Sequence, residues 1–151
     1  MAADIKWKQG AALNTLLSTG LDDLASAAEA ESAAFDNTSG LDLMADFVLA
    51  ICYAVAPAAG AKVADLYIEP AVDGTNYPSV TSGGLPQKSL LIGAFESVLP
   101  STTVVEYLML TGVPLPPLNL KFRLSNTSGQ ALKSSAVAKF LKMQAYRMQS
   151  V

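Results

Sequence analysis

Residues 41–55 read LDLMADFVLAICYAV, and every odd position is apolar: Leu41, Leu43, Ala45, Phe47, Leu49, Ile51, Tyr53 and Val55. A period of two belongs to a β-strand, whose successive side chains point to opposite faces, whereas a helix would space its apolar positions three or four apart. A face this apolar has to be buried against a second layer. The stretch therefore predicts a long strand in a layered β protein.

The flanking sequence extends that reading. Residues 21–35 are Ala-rich, with Asp22 and Asp23 near the start, a composition that also suits a helix. Glu29 and Glu31 alternate with Ala28, Ala30 and Ser32, however, and the turn formers Asp36-Asn37-Thr38-Ser39-Gly40 follow. This predicts a short strand over 28–35 hairpinned to the long one. After a turn at 56–60, residues 62–69 return as a half-exposed hairpin partner, with Ala64, Leu66 and Ile68 opposite Asp65, Tyr67 and Glu69. A long loop rich in Gly, Pro, Ser and Thr spans 70–87, and strands are expected over 90–99 and 103–110.

Residues 113–117 contain three prolines and must be a crossing loop or a sheet edge, because proline brings no donor to a ladder. Residues 118–124 alternate again, with Leu118, Leu120, Phe122 and Leu124 on one face and Asn119, Lys121 and Arg123 on a wet one. A polar turn at 126–130 leads to a last strand over 136–147 with Leu141, Met143 and Ala145 inward. Seven or eight strands at this spacing predict an all-β fold, an antiparallel β-sandwich of jelly-roll kind over residues 21–151.

Residues 1–20 have no sustained period and are expected to form an extended N-terminal arm. Its apolar side chains, Ile5, Trp7, Leu13, Leu16 and Leu17, are candidate partner contacts, Trp7 being the only tryptophan of the chain. A frayed terminus or a first edge strand of the same domain is the competing reading.

Composition narrows the function. The 151 residues suit one domain, and only 15% of them are charged while 51% are hydrophobic, 24 of these being alanine. A surface poor in charge tends to be hidden in a partner or in further copies of the chain. The net charge is −3 with no concentrated basic block, which disfavours nucleic acid. The longest apolar run, 47–61, is interrupted by Pro57 and Gly60 and is too short to cross a membrane as a helix. The N-terminus shows no secretory pattern, so the chain is expected to stay in the cytoplasm where it is made or to leave by cell lysis.

Cys52 is the single cysteine, so no internal disulfide can form, and it is expected to be a buried, inert thiol. The chain contains no histidine, which removes the Ser-His-Asp and Cys-His systems and the usual zinc sites. No enzyme activity, cofactor or metal is expected. Asp65, Glu69 and Asp73 could in principle form a carboxylate pair for glycoside hydrolysis or bind calcium, but solvation of strand ends and turns accounts for them more simply. Gly83-Gly84 reads as a hinge, since the lysine and hydroxyl of a phosphate loop are missing. Within the long loop, Asp73, Asn76 and Tyr77 are candidate binding residues, and Tyr67, Tyr77 and Tyr107 could stack on sugar.

Asp36-Asn37 before Leu41-Asp42-Leu43-Met44-Ala45-Asp46-Phe47, Leu66-Tyr67-Ile68 with Val72-Asp73-Gly74-Thr75-Asn76-Tyr77, and Val113-Pro114-Leu115-Pro116-Pro117 before Leu120-Lys121-Phe122 together give a resemblance. The chain resembles small virion structural proteins of tailed bacteriophages over most of 20–147. The resemblance implies a jelly-roll sandwich that decorates or cements a capsid by binding across major capsid protein subunits, often as a homotrimer, on the virion surface. It supplies no catalytic residues. The alternative it leaves is a tail- or fibre-associated module that recognises host-surface carbohydrate.

Overall fold

The computed structural model describes residues 5–9, 13–77, 90–134 and 138–150. The described residues form ten strands and one short 3-10 turn (Thr19–Leu21). The strands are β1 (Ile5–Gln9), β2 (Asn14–Leu17), β3 (Glu29–Glu31), β4 (Phe35–Asp36), β5 (Met44–Ile51), β6 (Lys62–Ala71), β7 (Leu90–Glu96), β8 (Glu106–Pro114), β9 (Asn119–Asn126) and β10 (Phe140–Ser150).

They form two antiparallel five-stranded sheets. Sheet A runs β1–β10–β5–β8 with β2 also on β10, and sheet B runs β3–β9–β6–β7 with β4 also on β9. β1 and β2 share one edge position, and β3 and β4 share another. Counted that way there are eight positions, and the first pairs with the last, the second with the seventh, the third with the sixth and the fourth with the fifth. A hairpin nested like this and folded over two sheets is a jelly roll.

Between the sheets, the inward residues form one core. Phe47 and Leu49 of β5, Leu66 and Ile68 of β6, Phe122 and Leu124 of β9, and Leu141 and Met143 of β10 are all essentially inaccessible. The Phe47 and Phe122 rings meet edge to face across the sheets at 5.3 Å. At the side where β7 of sheet B passes β8 of sheet A, Leu110 fills the space over Gly93, where any Cβ would collide with it.

The structure corrects several expectations. The odd face of 41–55 is buried only from Ala45 to Tyr53; Leu41, Leu43 and Val55 lie beyond the strand and are exposed. The segment 28–35 is broken into β3 and β4, and both pair with β9 instead of forming a hairpin with β5. Likewise β6 lies in the sheet opposite β5, between β7 and β9. The physical reason is common to both cases: a jelly roll sends most consecutive strands to opposite sheets, so neighbours in sequence seldom pair.

Pro70, expected in a loop, lies in β6 opposite Leu120. Among the described residues the β7 pairing stops at Ile68, and none of them asks Pro70 for a donor on that side. Pro114 ends β8, at the edge of sheet A. The described part of the N-terminal arm is extended and runs along β10, Trp7 opposite Met148 and Leu17 opposite Leu141, so it continues sheet A as an edge instead of standing clear of it.

Candidate interaction faces and the loop sites

The two outer faces of the sandwich differ in chemistry. On sheet A, alternation turns Met44, Asp46, Val48 and Ala50 of β5, Tyr107 and Met109 of β8, and Phe140, Lys142, Gln144, Tyr146 and Met148 of β10 outward. Of these outward side chains only Asp46 and Lys142 are charged. Trp7, Tyr107, Met109 and Met148 are 61%, 64%, 65% and 52% exposed.

Both charges on this face are engaged. Asp46 Oδ1 accepts the Gly112 amide at 2.8 Å and the Tyr146 hydroxyl at 3.2 Å. Lys142 Nζ lies 4.3 Å from the centroid of the Phe140 ring. Trp7 stands edge-on to Tyr146 at 5.4 Å, and Tyr107 reaches Phe140 at 6.2 Å, so aromatic groups mark both ends of the face. Burial raises the Tyr146 hydroxyl pKa, with Asp46 adding to the effect. Four strand positions about 4.8 Å apart and about eight residues long give the whole face a projected area of roughly 500 Å², in which Asp46, Lys142 and Gln144 stand among the apolar side chains.

Sheet B carries a charge network on its outer face. Arg123 Nε donates to Glu69 Oε1 at 2.6 Å, and its Nη2 reaches Glu31 Oε2 at 2.6 Å and Glu69 Oε2 at 3.4 Å. Nη1 donates to Glu29 at 3.2 Å, and Lys121 Nζ pairs with Glu31 Oε1 at 2.5 Å. Burial on its own lowers the Arg123 pKa, but Glu69, Glu31 and Glu29 outweigh it and hold the guanidinium charged. Glu69 is 0% exposed, and Arg123 is buried as well, so the wet face expected for β9 is corrected here. Glu29 and Glu31 on β3 are thereby clamped to β9, which is why an Ala-rich segment settles as an edge strand.

The carboxylates that might have been catalytic are committed elsewhere. Asp65 Oδ2 binds Lys62 Nζ at 2.9 Å, and Glu69 is held by Arg123. Asp73 caps its own turn: Oδ1 accepts the Thr75 and Asn76 amides at 3.0 and 2.7 Å, and Oδ2 accepts the Asn76 side-chain amide at 2.6 Å. These bonds, chiefly those of Asn76, pull the Asp73 pKa down to about 2. Gly74 takes the left-handed conformation that this turn needs, with φ 82°. Asp73 and Asn76 are thus bonded to each other, and Lys121 Nζ sits 4.8 Å over the Tyr77 ring. Gly83-Gly84 and the rest of 78–89 lie outside the described residues.

The three candidate tyrosines do not form one platform. Tyr107 belongs to the outer face of sheet A, while Tyr67 and Tyr77 lie on the side of sheet B. Of the arm residues, Trp7 and Leu13 are exposed, Leu16 packs against the core and Leu17 is buried in it. The backbone of Ile5 pairs with Ser150. Cys52 is buried and unoxidised, its thiol directed at the Ser101 carbonyl.

Two features went unnoticed in the sequence. A groove of about 640 Å³ opens between the start of β7 and the end of β8, lined by Ile68, Leu90, Leu91 and Ile92 and by the backbone stretch 113–116. At the other end of those strands, the connection 97–105 exposes Val98, Leu99 and Val104 around a hollow of about 360 Å³. Among the described residues no group of three or more His, Cys, Asp or Glu is placed to hold a metal ion. No helix among the described residues is long and apolar enough to cross a membrane.

No family model matches the chain, and no curated protein matches its sequence. Among solved structures, it is similar to the CBM35 from Cellvibrio japonicus Abf62 at 12% identity and a TM-score of 0.48, covering 97% of each chain. It is also similar to the exo-beta-1,3-galactanase of Phanerochaete chrysosporium at 11% identity and a TM-score of 0.36, over 96% of this chain and 29% of that one.

Proposed function

We propose that this chain is a structural protein whose task is assembly: a decoration or cement subunit of a tailed-phage capsid, seated on major capsid protein through the outer face of sheet A. The observation that carries the reading is that face itself. Its width is covered by Trp7, Met148, Tyr146, Phe140, Tyr107 and Met109, and its two charges are engaged within the chain. Large apolar side chains left exposed together on one face, as Trp7, Tyr107, Met109 and Met148 are, support a contact surface.

The size of the patch supports a role that depends on many copies. Roughly 500 Å² of projected area is less than the about 800 Å² that each partner of a standard interface buries. One such joint is modest, and many around a shell act together through high effective concentration.

The test is binding to empty shells. Tyr107→Asp combined with Met109→Lys changes two exposed side chains, so the variant keeps its circular dichroism and its unfolding midpoint and should lose attachment. Attachment equal to that of the native chain would refute the seat on sheet A. The glycan-binding alternative has less support, because Asp73 and Asn76 are bonded to each other and the tyrosines are divided between two faces.

A further inference from the structure

Positive charge gathers on the β1–β10 ribbon and stays unpaired there. Elsewhere Lys62, Lys121, Arg123 and Lys139 pair with carboxylates, Lys142 lies over the Phe140 ring and Lys133 binds the Thr102 carbonyl. Lys6, Lys8 and Arg147 have no carboxylate partner among the described residues. Register brings the three together: Lys8 lies directly opposite Arg147, and Lys6 is opposite Gln149. Lys6 and Lys8 share one face of an extended strand, about 6.8 Å apart, and both are exposed. Arg147 Nη1 donates to the Gly40 carbonyl, which fixes its guanidinium.

Like charges directly opposite one another destabilise a strand pair, and no described carboxylate offsets this pair. The arrangement costs the isolated chain stability and suits a negative group brought from outside. Trp7 and Met148 take the other face of the ribbon, where both are exposed. β1 is bonded to β10 on one side, and on its other side no described strand pairs with it. An unpaired strand edge is a template for one more strand.

We infer that β1 takes up an extended segment of a partner protein in which acidic side chains alternate with apolar ones, the carboxylates facing Lys6, Lys8 and Arg147 and the apolar residues lying beside Trp7. Carboxylates two residues apart on a strand repeat at the spacing of Lys6 and Lys8, so each meets a cation. Main-chain bonds supply affinity in such an added strand, and the alternate side chains supply specificity. Within this chain β3 has the matching pattern, but its Glu29 and Glu31 are already bound by Arg123 and Lys121, so the occupant is a different protein. Nucleic acid would answer the charges and brings no row of amides for the strand edge. The inference deepens the assembly reading by naming the chemistry of a second contact; it is tested with peptides and without shells, so either can fail alone.

The experiment titrates the full chain with a short peptide of alternating Glu and Val, and with a peptide of the same composition whose glutamates stand in one block. Binding is followed by backbone NMR and by the fluorescence of Trp7, the only tryptophan. The alternating peptide should shift the amides of residues 5–9, slow their hydrogen exchange and bind more weakly as salt rises. Lys6→Glu with Lys8→Glu changes two exposed side chains, and its unfolding midpoint should not fall. This variant should bind the peptide about tenfold more weakly, as two exposed ion pairs become repulsions, and should bind a peptide of alternating Lys and Val instead. Lys6→Gln with Lys8→Gln serves as a second, milder variant and should also weaken binding. A native chain that binds no peptide would overturn the inference and leave the lysines as guards against edge-to-edge pairing. Equal binding of the blocked peptide would overturn the added strand, and unchanged affinity in both variants would overturn the part given to the lysines. Tighter binding of a DNA duplex of matched charge would reassign the ribbon to nucleic acid.

Discussion

The outer face of sheet A and the outer face of sheet B are built on the same strand pairing and have opposite surfaces. Sheet B completes its chemistry within the chain: every donor of the Arg123 network finds a carboxylate on a neighbouring strand. Sheet A leaves tryptophan, tyrosine and methionine side chains in water and carries almost no charge. The lesson is that charge on sheet B is used to hold strands together, while sheet A leaves its large apolar side chains exposed.

The largest difference between the two faces should come from Arg123→Leu. It leaves Glu69 buried and unpaired, and removing one partner of a buried ion pair costs about 3–5 kcal/mol. Urea unfolding should show the loss; a change below about 1 kcal/mol would mean that the network is dispensable. The double variant Arg123→Met with Glu69→Leu sharpens the point, since replacing the whole pair by apolar residues is expected to restore most of the stability.

On sheet A the effects on stability should be smaller. Trp7→Ala removes the edge-to-face contact with Tyr146 and should cost about 1 kcal/mol, read as a lower unfolding midpoint with the β-sheet spectrum intact. Met109→Lys, at an exposed position, should shift stability by no more than about 0.5 kcal/mol while weakening attachment to shells. A stability loss as large as that of Arg123→Leu would show that the face is part of the core.

The smallest effect is local and depends on pH. The Asp73 carboxyl is lowered from 3.8 to about 2, so its turn bonds are fully present above 3.8 and are lost as pH falls through about 2. A carbon-detected NMR titration should place its midpoint near 2, with the Thr75 and Asn76 amides shifting together with it. A midpoint near 4 would mean that the turn does not hold the carboxylate.

Much of the fold was legible because period-two patterning reports burial directly. Phe47, Leu49 and Ile51, Leu120, Phe122 and Leu124, and Leu141, Met143 and Ala145 all face the core as their alternation indicates. Strand partners were not legible, because alternation says which face a residue takes and nothing about which strand lies beside it. The hairpin expected between 28–35 and β5 failed for that reason.

The candidate surfaces were only partly legible. Trp7 and Tyr107 stand on the sheet A face, but Leu17 is in the core, and Asp73 and Asn76 are occupied with each other. Glu69 and Arg123 each look like the solvated half of an alternating strand, and they lie 54 positions apart. The available signal was the opposite charge at outward positions, Glu29, Glu31 and Glu69 against Lys121 and Arg123. The exposure of Val98 and Leu99 had no signal, since it follows from Glu106 reaching back to hold the loop amides.

Hydroxyl-radical footprinting of the chain alone and bound to shells, read residue by residue by mass spectrometry, would locate the bound face. The account predicts that Trp7, Tyr107, Met109 and Met148 are oxidised readily in the unbound chain and become protected on assembly, while Tyr67 and Tyr77 keep their reactivity. Unchanged oxidation of the first four, or protection confined to the side of sheet B, would contradict it.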